Sequence, residues 1–518
     1  MTAARPTGIQ FPSAANGSHS TSRAGVEIVA AALHALDPAL AGALRAERNW
    51  RRNYPAHLRA LVAAGLADGE GALAAARAGL DCAWQTLEWA DASGSRPLSD
   101  AWAESGAAPL ATATVRGEGE ARPQPWRLPY RGRLLAGDAL LHQIAEWEVR
   151  HVIEPGAAEA LRRCAAHPEW FDLADRTLVL LGAGAEVGPL PLLLRWRANV
   201  MAVDVARPEL WRRLVALARE GNGVLRVPLS APAGSNGHAD GVDGANGAEG
   251  ANVALRGGVD LLAETPRVAA WLATHGGPLD VAALAYADGE RHVRLALAMD
   301  WVVRAALEAD AGSTAAWLSS PTDVFAMPAH TARASRQAYG RRSLSAKLLR
   351  RALAPAGVGC FQPNVEGMLG GPGGVEYALA DSIVVQQGPN YSVAKRLQQW
   401  RALEARARGR RVSLNIAPAT TTASVTSNPI LAAGYAGADR FGIEVFAPET
   451  TRALMAALWV HDLRSDEAPG SPAMALAHPW DLFHAQACHG GLWACPYLPR
   501  TALPFAAALG WVRLKLGR

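Results

Sequence analysis

The chain has 518 residues, with 51 Lys and Arg against 47 Asp and Glu and 50% hydrophobic residues. That is enough chain for several domains or one large core without disulfides. A charged fraction of 19% excludes a wholly disordered chain. The small basic excess gives no expectation of a nucleic-acid partner.

Five cysteines, Cys82, Cys164, Cys360, Cys488 and Cys495, form an odd and scattered set. They read as free thiols in a reducing compartment, so a cytoplasmic location is expected. The first residues are polar and lack the apolar core of a secretion signal. No apolar run reaches about 18 residues, so no transmembrane segment is expected.

In chain order, residues 1–24 read as a disordered tail. Residues 25–170 read as a helical N-terminal region, with Ala/Leu spacing in VEIVAAALHALDPALAGALRAERNW and a loop-like stretch over 93–133. At Thr177 the pattern changes. TLVLLGAGAEVG is a strand ending in glycines, PLPLLLRWR is predicted as a helix, and NVMAVD is a second strand. Further strands are predicted at GVLRVPL, LDVAALAYA, TAAWLSS and RRVSLNIAPA, with helical patterns between several of them. The alternation predicts an α/β fold, a Rossmann-like doubly wound parallel sheet with a C-terminal extension from 468 to 518. Its core would run over 171–324 and 389–467. Residues 231–252, rich in Gly, Asn and Ala, read as a disordered insertion, and 325–388 as a second insertion and possible lid.

Gly182, Gly184 and Gly188 sit between a strand and a helix. Glycines there let a backbone approach a ligand, and the helix N-terminus offers N–H groups to an anion. Asp204 ends the next strand, where a carboxylate can accept hydrogen bonds from a ribose diol. Further on, Tyr391-Ser392-Val393-Ala394-Lys395 places a phenol and an ammonium about one helical turn apart, on one face. A neighbouring ammonium lowers a phenol's pKa and favours proton exchange with a substrate oxygen.

These motifs, in this order, resemble the short-chain dehydrogenase/reductase superfamily over about residues 176–465. Leu181 to Gly188 can be laid on the family's TGxxxGxG and Tyr391 to Lys395 on its YxxxK. RRVSLNIAPATTT resembles the family's next strand and the Pro-containing loop after it, which lies by the nicotinamide. The resemblance implies an NAD- or NADP-dependent oxidoreductase passing hydride between the cofactor and a carbonyl or alcohol carbon. Tyr391 would be the general acid/base, Lys395 its activator, and Ser319 or Ser320 the group binding the substrate oxygen. Ser382 is an alternative to those serines. Gly182, Gly184, Gly188, Asp204, Pro418 and Thr420 would bind the cofactor. Asp204 favours NAD by repelling a 2′-phosphate, whereas Arg207 close behind could accept one. The expected substrate is a bulky, partly apolar small molecule, and a homodimer is possible.

This sequence departs from the family in several places. Glu186 stands at the family's middle glycine and Leu181 at its threonine; the helix over 290–310 has no asparagine; 71 residues separate Ser320 from Tyr391. Two other readings follow. One is a non-catalytic binding or scaffold protein on a degenerate form of this fold. The other is an S-adenosylmethionine-dependent methyltransferase, whose first motif LVLLGAGAEVG also resembles. His484, Cys488, His489 and Cys495 match no usual zinc spacing, so no metal is expected.

Overall fold

A computed structural model describes residues 7–13, 19–104, 106–230, 242–243, 253–353 and 359–516. Most of the insertion over 231–252 lies outside the described residues. The centre is a mostly parallel sheet of seven main strands. In chain order these are β1 (Ala111–Arg116), β2 (Thr177–Leu181), β3 (Asn199–Val203), β4 (Val224–Leu229), β5 (Asp280–Ala283), β6 (Thr314–Ser319) and β7 (Val412–Ile416). Their spatial order is β1-β4-β3-β2-β5-β6-β7, and Val242–Asp243 adds a two-residue strand outside β1. From β2 to β7 every pairing is parallel, while β1 runs antiparallel to β4. The chain winds outward from β2 through β3 to β4, then crosses back to β5 on the other side of β2. In open α/β sheets such a reversal leaves a crevice at the carboxyl ends of the two strands.

The strands are apolar on both faces because both are covered. Val179 and Leu181 of β2 enter one core with helices Glu290–Ala309 and Gly388–Ala407. Leu178 and Leu180 enter the other, with helices Pro155–Ala166 and Pro448–Arg464. The N-terminal helices Thr21–His34, Trp50–Gly65 and Gly69–Thr86 join the first core and cover helix Gly388–Ala407. That helix is therefore buried around much of its girth, including Arg401 and Glu404.

Three expectations are corrected. Residues 1–24 do not form a wholly disordered tail: Gly8–Gln10 pairs with Glu88–Asp91, Ile9 and Phe11 are buried, and a helix starts at Thr21. The loop-like stretch over 93–133 contains β1 and three short strands, because β1 satisfies its backbone on the edge of the main sheet. The helix expected after the glycine turn is only Leu190–Leu193, with Pro189 and Pro191 removing N–H donors from its first turn. The second insertion is firmly seated. Val324–Pro328, Glu376–Asp381 and Leu369–Gly370 form a small antiparallel sheet, and Phe325, Ala326 and Met327 are buried.

Candidate active site at the carboxyl ends of the sheet

Gly182 follows β2 with φ +97°, and a Cβ there would stand 2.6 Å from the backbone of Ala285. The glycine is thus required for the turn to pack beside the segment after β5, whatever else it serves. The turn satisfies itself. Gly182 and Ala183 N–H both bond the Val203 carbonyl, Ala185 N–H the Gly182 carbonyl, and Gly188 N–H the Ala185 carbonyl. Gly184 N–H donates to Asp204 Oδ2 at 2.8 Å, and Val205 N–H to Asp204 Oδ1 at 2.8 Å. Burial raises the Asp204 pKa, against the opposing pull of those N–H groups and of Arg207 and Arg213. Asp204 therefore first staples β3 to the glycine turn. Each oxygen keeps a lone pair for a further donor.

Glu186, exposed on the turn, reaches across the crevice. Its carboxylate accepts Ala423 N–H at 2.8 Å, and its carbonyl accepts a bond from Arg452. The negative charge is held against the loop after β7 and beside an arginine, where its repulsion of an anion is offset. Pro418 and Thr420 begin that loop. The Thr420 hydroxyl is turned inward, donating to the Pro418 carbonyl and meeting the Thr451 hydroxyl, both at 2.7 Å.

Tyr391 and Lys395 occupy the first two turns of helix Gly388–Ala407, which leads into β7. Lys395 Nζ lies 5.9 Å from the Tyr391 ring centroid and donates to the Leu318 carbonyl at 2.9 Å and to Gln398 at 3.2 Å. Burial lowers the Lys395 pKa to about 8, partly opposed by the charge of Asp323. Burial likewise pushes the Tyr391 phenol up, and its hydrogen bond with Ser320 pulls it back. Of the two serines ending β6, Ser320 is the one at the phenol, and it also meets the Thr322 hydroxyl at 2.6 Å. Ser319 is buried and its hydroxyl has no partner among the described residues; the same holds for Ser382.

The sequence reading missed His292. It is buried, stacks on Tyr391 at 5.5 Å between ring centroids, and has no hydrogen-bond partner on either ring nitrogen among the described residues. Burial and then the Lys395 charge lower its pKa to about 3, so the imidazole is neutral. Its one sequence signal was its place in the first turn of the helix after β5. Beside Thr322 a small apolar cavity of about 70 Å³ extends between Tyr435, Phe441, Ile443, Tyr497 and Leu503. The C-terminal extension thus builds one wall of a chamber next to the Tyr391 cluster.

The C-terminal histidines and cysteines do not converge with one another. His484 pairs with Asp481, while His489 Nε2 meets Glu154 at 2.9 Å. Because His489 Nδ1 accepts Gly491 N–H, its Nε2 is the donor to Glu154. The buried Glu154 also accepts from Thr331 Oγ1 and meets His330 Nε2, both at 2.7 Å. Burial would raise the Glu154 pKa, but the bonds from His330 and His489 outweigh it and hold the group well below the carboxylate range. The same bond raises the His330 pKa against its own desolvation. The Glu154 contribution to stability is present above the ordinary carboxylate pKa and lost as pH falls through its folded value. The His330 contribution is complete below pH ~6.5 and lost as pH rises through its raised pKa. His330→Asn is therefore expected to lower the urea midpoint at pH 5.5 more than at pH 8.5; an equal loss at both would refute the ion pair.

Compared with known proteins, the chain matches no family model and no curated protein.

Proposed function

We propose that the protein is an NAD(P)-dependent oxidoreductase of short-chain dehydrogenase/reductase type on a Rossmann-like fold. The observation that carries the reading is the meeting of Tyr391, Lys395 and Ser320 beside the crevice where the strand order reverses. Those groups come from two elements, the end of β6 and the helix leading into β7.

The cofactor's nicotinamide would supply or accept the hydride. Ser320 would hold the substrate oxygen by a hydrogen bond, and the Tyr391 phenol would give that oxygen its proton, or take it in the reverse direction. Lys395, held by the Leu318 carbonyl, would stabilise the phenolate left behind. The apolar cavity by Thr322 would take an apolar part of the substrate. Asp204 has acceptor capacity for a ribose diol, and Arg213 and Arg452 flank the glycine turn with positive charge for a phosphate. Asp204 weighs towards NAD, and Arg207 and Arg213 beside it towards NADP.

One observation favours a second reading, a binding protein without catalysis. Five N–H groups of the glycine turn are already bonded within the protein, and the helix behind it is one short turn. Titration with NADH and then NADPH, followed by nicotinamide fluorescence excited through the tryptophans, separates the two. Saturable binding that weakens about tenfold in Asp204→Ala is expected, the loss of hydrogen bonds to a charged group. No binding of either dinucleotide by folded protein would leave the binding-protein reading, with S-adenosylmethionine the next ligand to test.

A further inference from the structure

Two stretches of the chain carry no acidic residue at all, from Val324 to Val365 and from Leu482 to the C-terminus. The fold brings them together. Helix Leu344–Leu353 of the first and helix Pro499–Lys515 of the second both pack on one aromatic cluster. Ala346 and Phe505 meet it around Phe361 and Tyr497, and Phe361 and Phe505 stack at 4.4 Å.

Both helices keep large apolar side chains in solvent. On the first, Leu344 is 74% and Leu348 67% exposed, with Lys347 and Arg351 exposed beside them. On the second, Leu509, Trp511, Val512, Leu514 and Leu516 are each about half exposed or more, with Lys515 lying over the Trp511 ring. The other side of this helix is fixed in the fold. Gly510 lies so near helix Pro429–Gly437 that a Cβ would stand 1.9 Å from the Ala433 carbonyl. The exposed residues are therefore an outer face of a well-seated element. Its inner face, with Ala502, Leu503 and Ala506, lines the apolar cavity.

We propose that this face docks on an anionic lipid bilayer, the two helices lying in the headgroup layer beside the cavity. Leucine and tryptophan with interleaved lysine and arginine is the composition of helices that lie in a membrane interface. Arg513 is paired with Asp439, and the remaining positive charge of Lys347, Arg351 and Lys515 is attracted to an anionic leaflet. It opposes pairing with a second copy of the same face. Exposed leucines serve no purpose against a nucleic-acid backbone. The inference does not depend on the dehydrogenase reading, because it uses no residue of the Tyr391 cluster.

The test is sedimentation of the full chain with vesicles of phosphatidylcholine, alone or with about one-third phosphatidylserine. Partition onto the phosphatidylserine vesicles is expected to exceed that onto phosphatidylcholine by about tenfold or more, and to weaken as salt rises. The double variant Leu348→Glu/Trp511→Glu should lose most of it, as should Lys347→Glu/Arg351→Glu. Both change exposed positions only, so an unchanged urea midpoint confirms that each is folded. No partition onto either vesicle overturns the proposal, as does partition that the variants leave intact. A concentration-dependent dimer abolished by the double variant, with no vesicle binding, would assign the face to a second copy instead.

Discussion

Tyr391→Phe is expected to lower turnover about a thousandfold, the span that a positioned general acid supplies. The phenol meets the Ser320 hydroxyl at the end of β6, where it can pass its proton to an oxygen held by that serine. Removing its oxygen leaves the ring, so the stacking on His292 at 5.5 Å and the edge contact with Tyr286 at 6.2 Å persist. Dinucleotide affinity and the urea midpoint should therefore change little, and steady-state kinetics on a substrate found by carbonyl screening would read the loss. Lys395 adds a pH signature. It holds its proton below about pH 8 and loses it above, because burial disfavours the ammonium. Carbonyl reduction is accordingly expected to fall as pH rises through that value, and the break should vanish in Lys395→Met. A Tyr391→Phe enzyme within tenfold of the parent would end the proposed mechanism, whereas dinucleotide binding would survive it.

Asp300→Ala is expected to cost about 3–5 kcal/mol of stability, since it strands a buried guanidinium. Asp300 on helix Glu290–Ala309 takes Arg401 by two bonds, Nε to Oδ1 at 2.6 Å and Nη2 to Oδ2 at 2.9 Å. The indole N–H of Trp84 on helix Gly69–Thr86 donates to Oδ2 at 2.7 Å. One carboxylate thus ties an N-terminal helix to two helices covering the sheet. Asp300→Ala leaves Arg401 only Glu404, at 3.0 Å, and leaves the Trp84 donor unpaired. Adding Arg401→Met to Asp300→Ala should recover part of the loss, because no buried charge then lacks its partner. Urea denaturation of the single and double variants measures both effects. A loss below about 1 kcal/mol for Asp300→Ala would show that water reaches Arg401 and solvates it.

The division between what was legible and what was not follows from the range of the interactions. β2 to β7 were read from short apolar runs, because strands buried on both faces are mostly apolar, and Asp280, Ser413 and Asn415 are buried only with hydrogen-bond partners. The shared helix face of Tyr391 and Lys395 was equally legible, since four residues make one turn. β1 was not, because ATATVR is an edge strand whose partner, β4, comes a hundred residues later. Gly8–Gln10 was hidden for the same reason, as its pairing depends on Glu88–Asp91.

The sequence by itself determined the order of β2 to β7, the glycine turn and the spacing of phenol and ammonium, all properties of neighbours along the chain. Only the tertiary structure decided that Ser320, and not Ser319 or Ser382, meets Tyr391. It alone placed His292 against the phenol, turned Glu186 towards Ala423, and gathered two acid-free segments around Phe361. Each of those contacts joins residues remote in sequence, and its geometry is set by how helices and loops pack, which no local pattern of residues records.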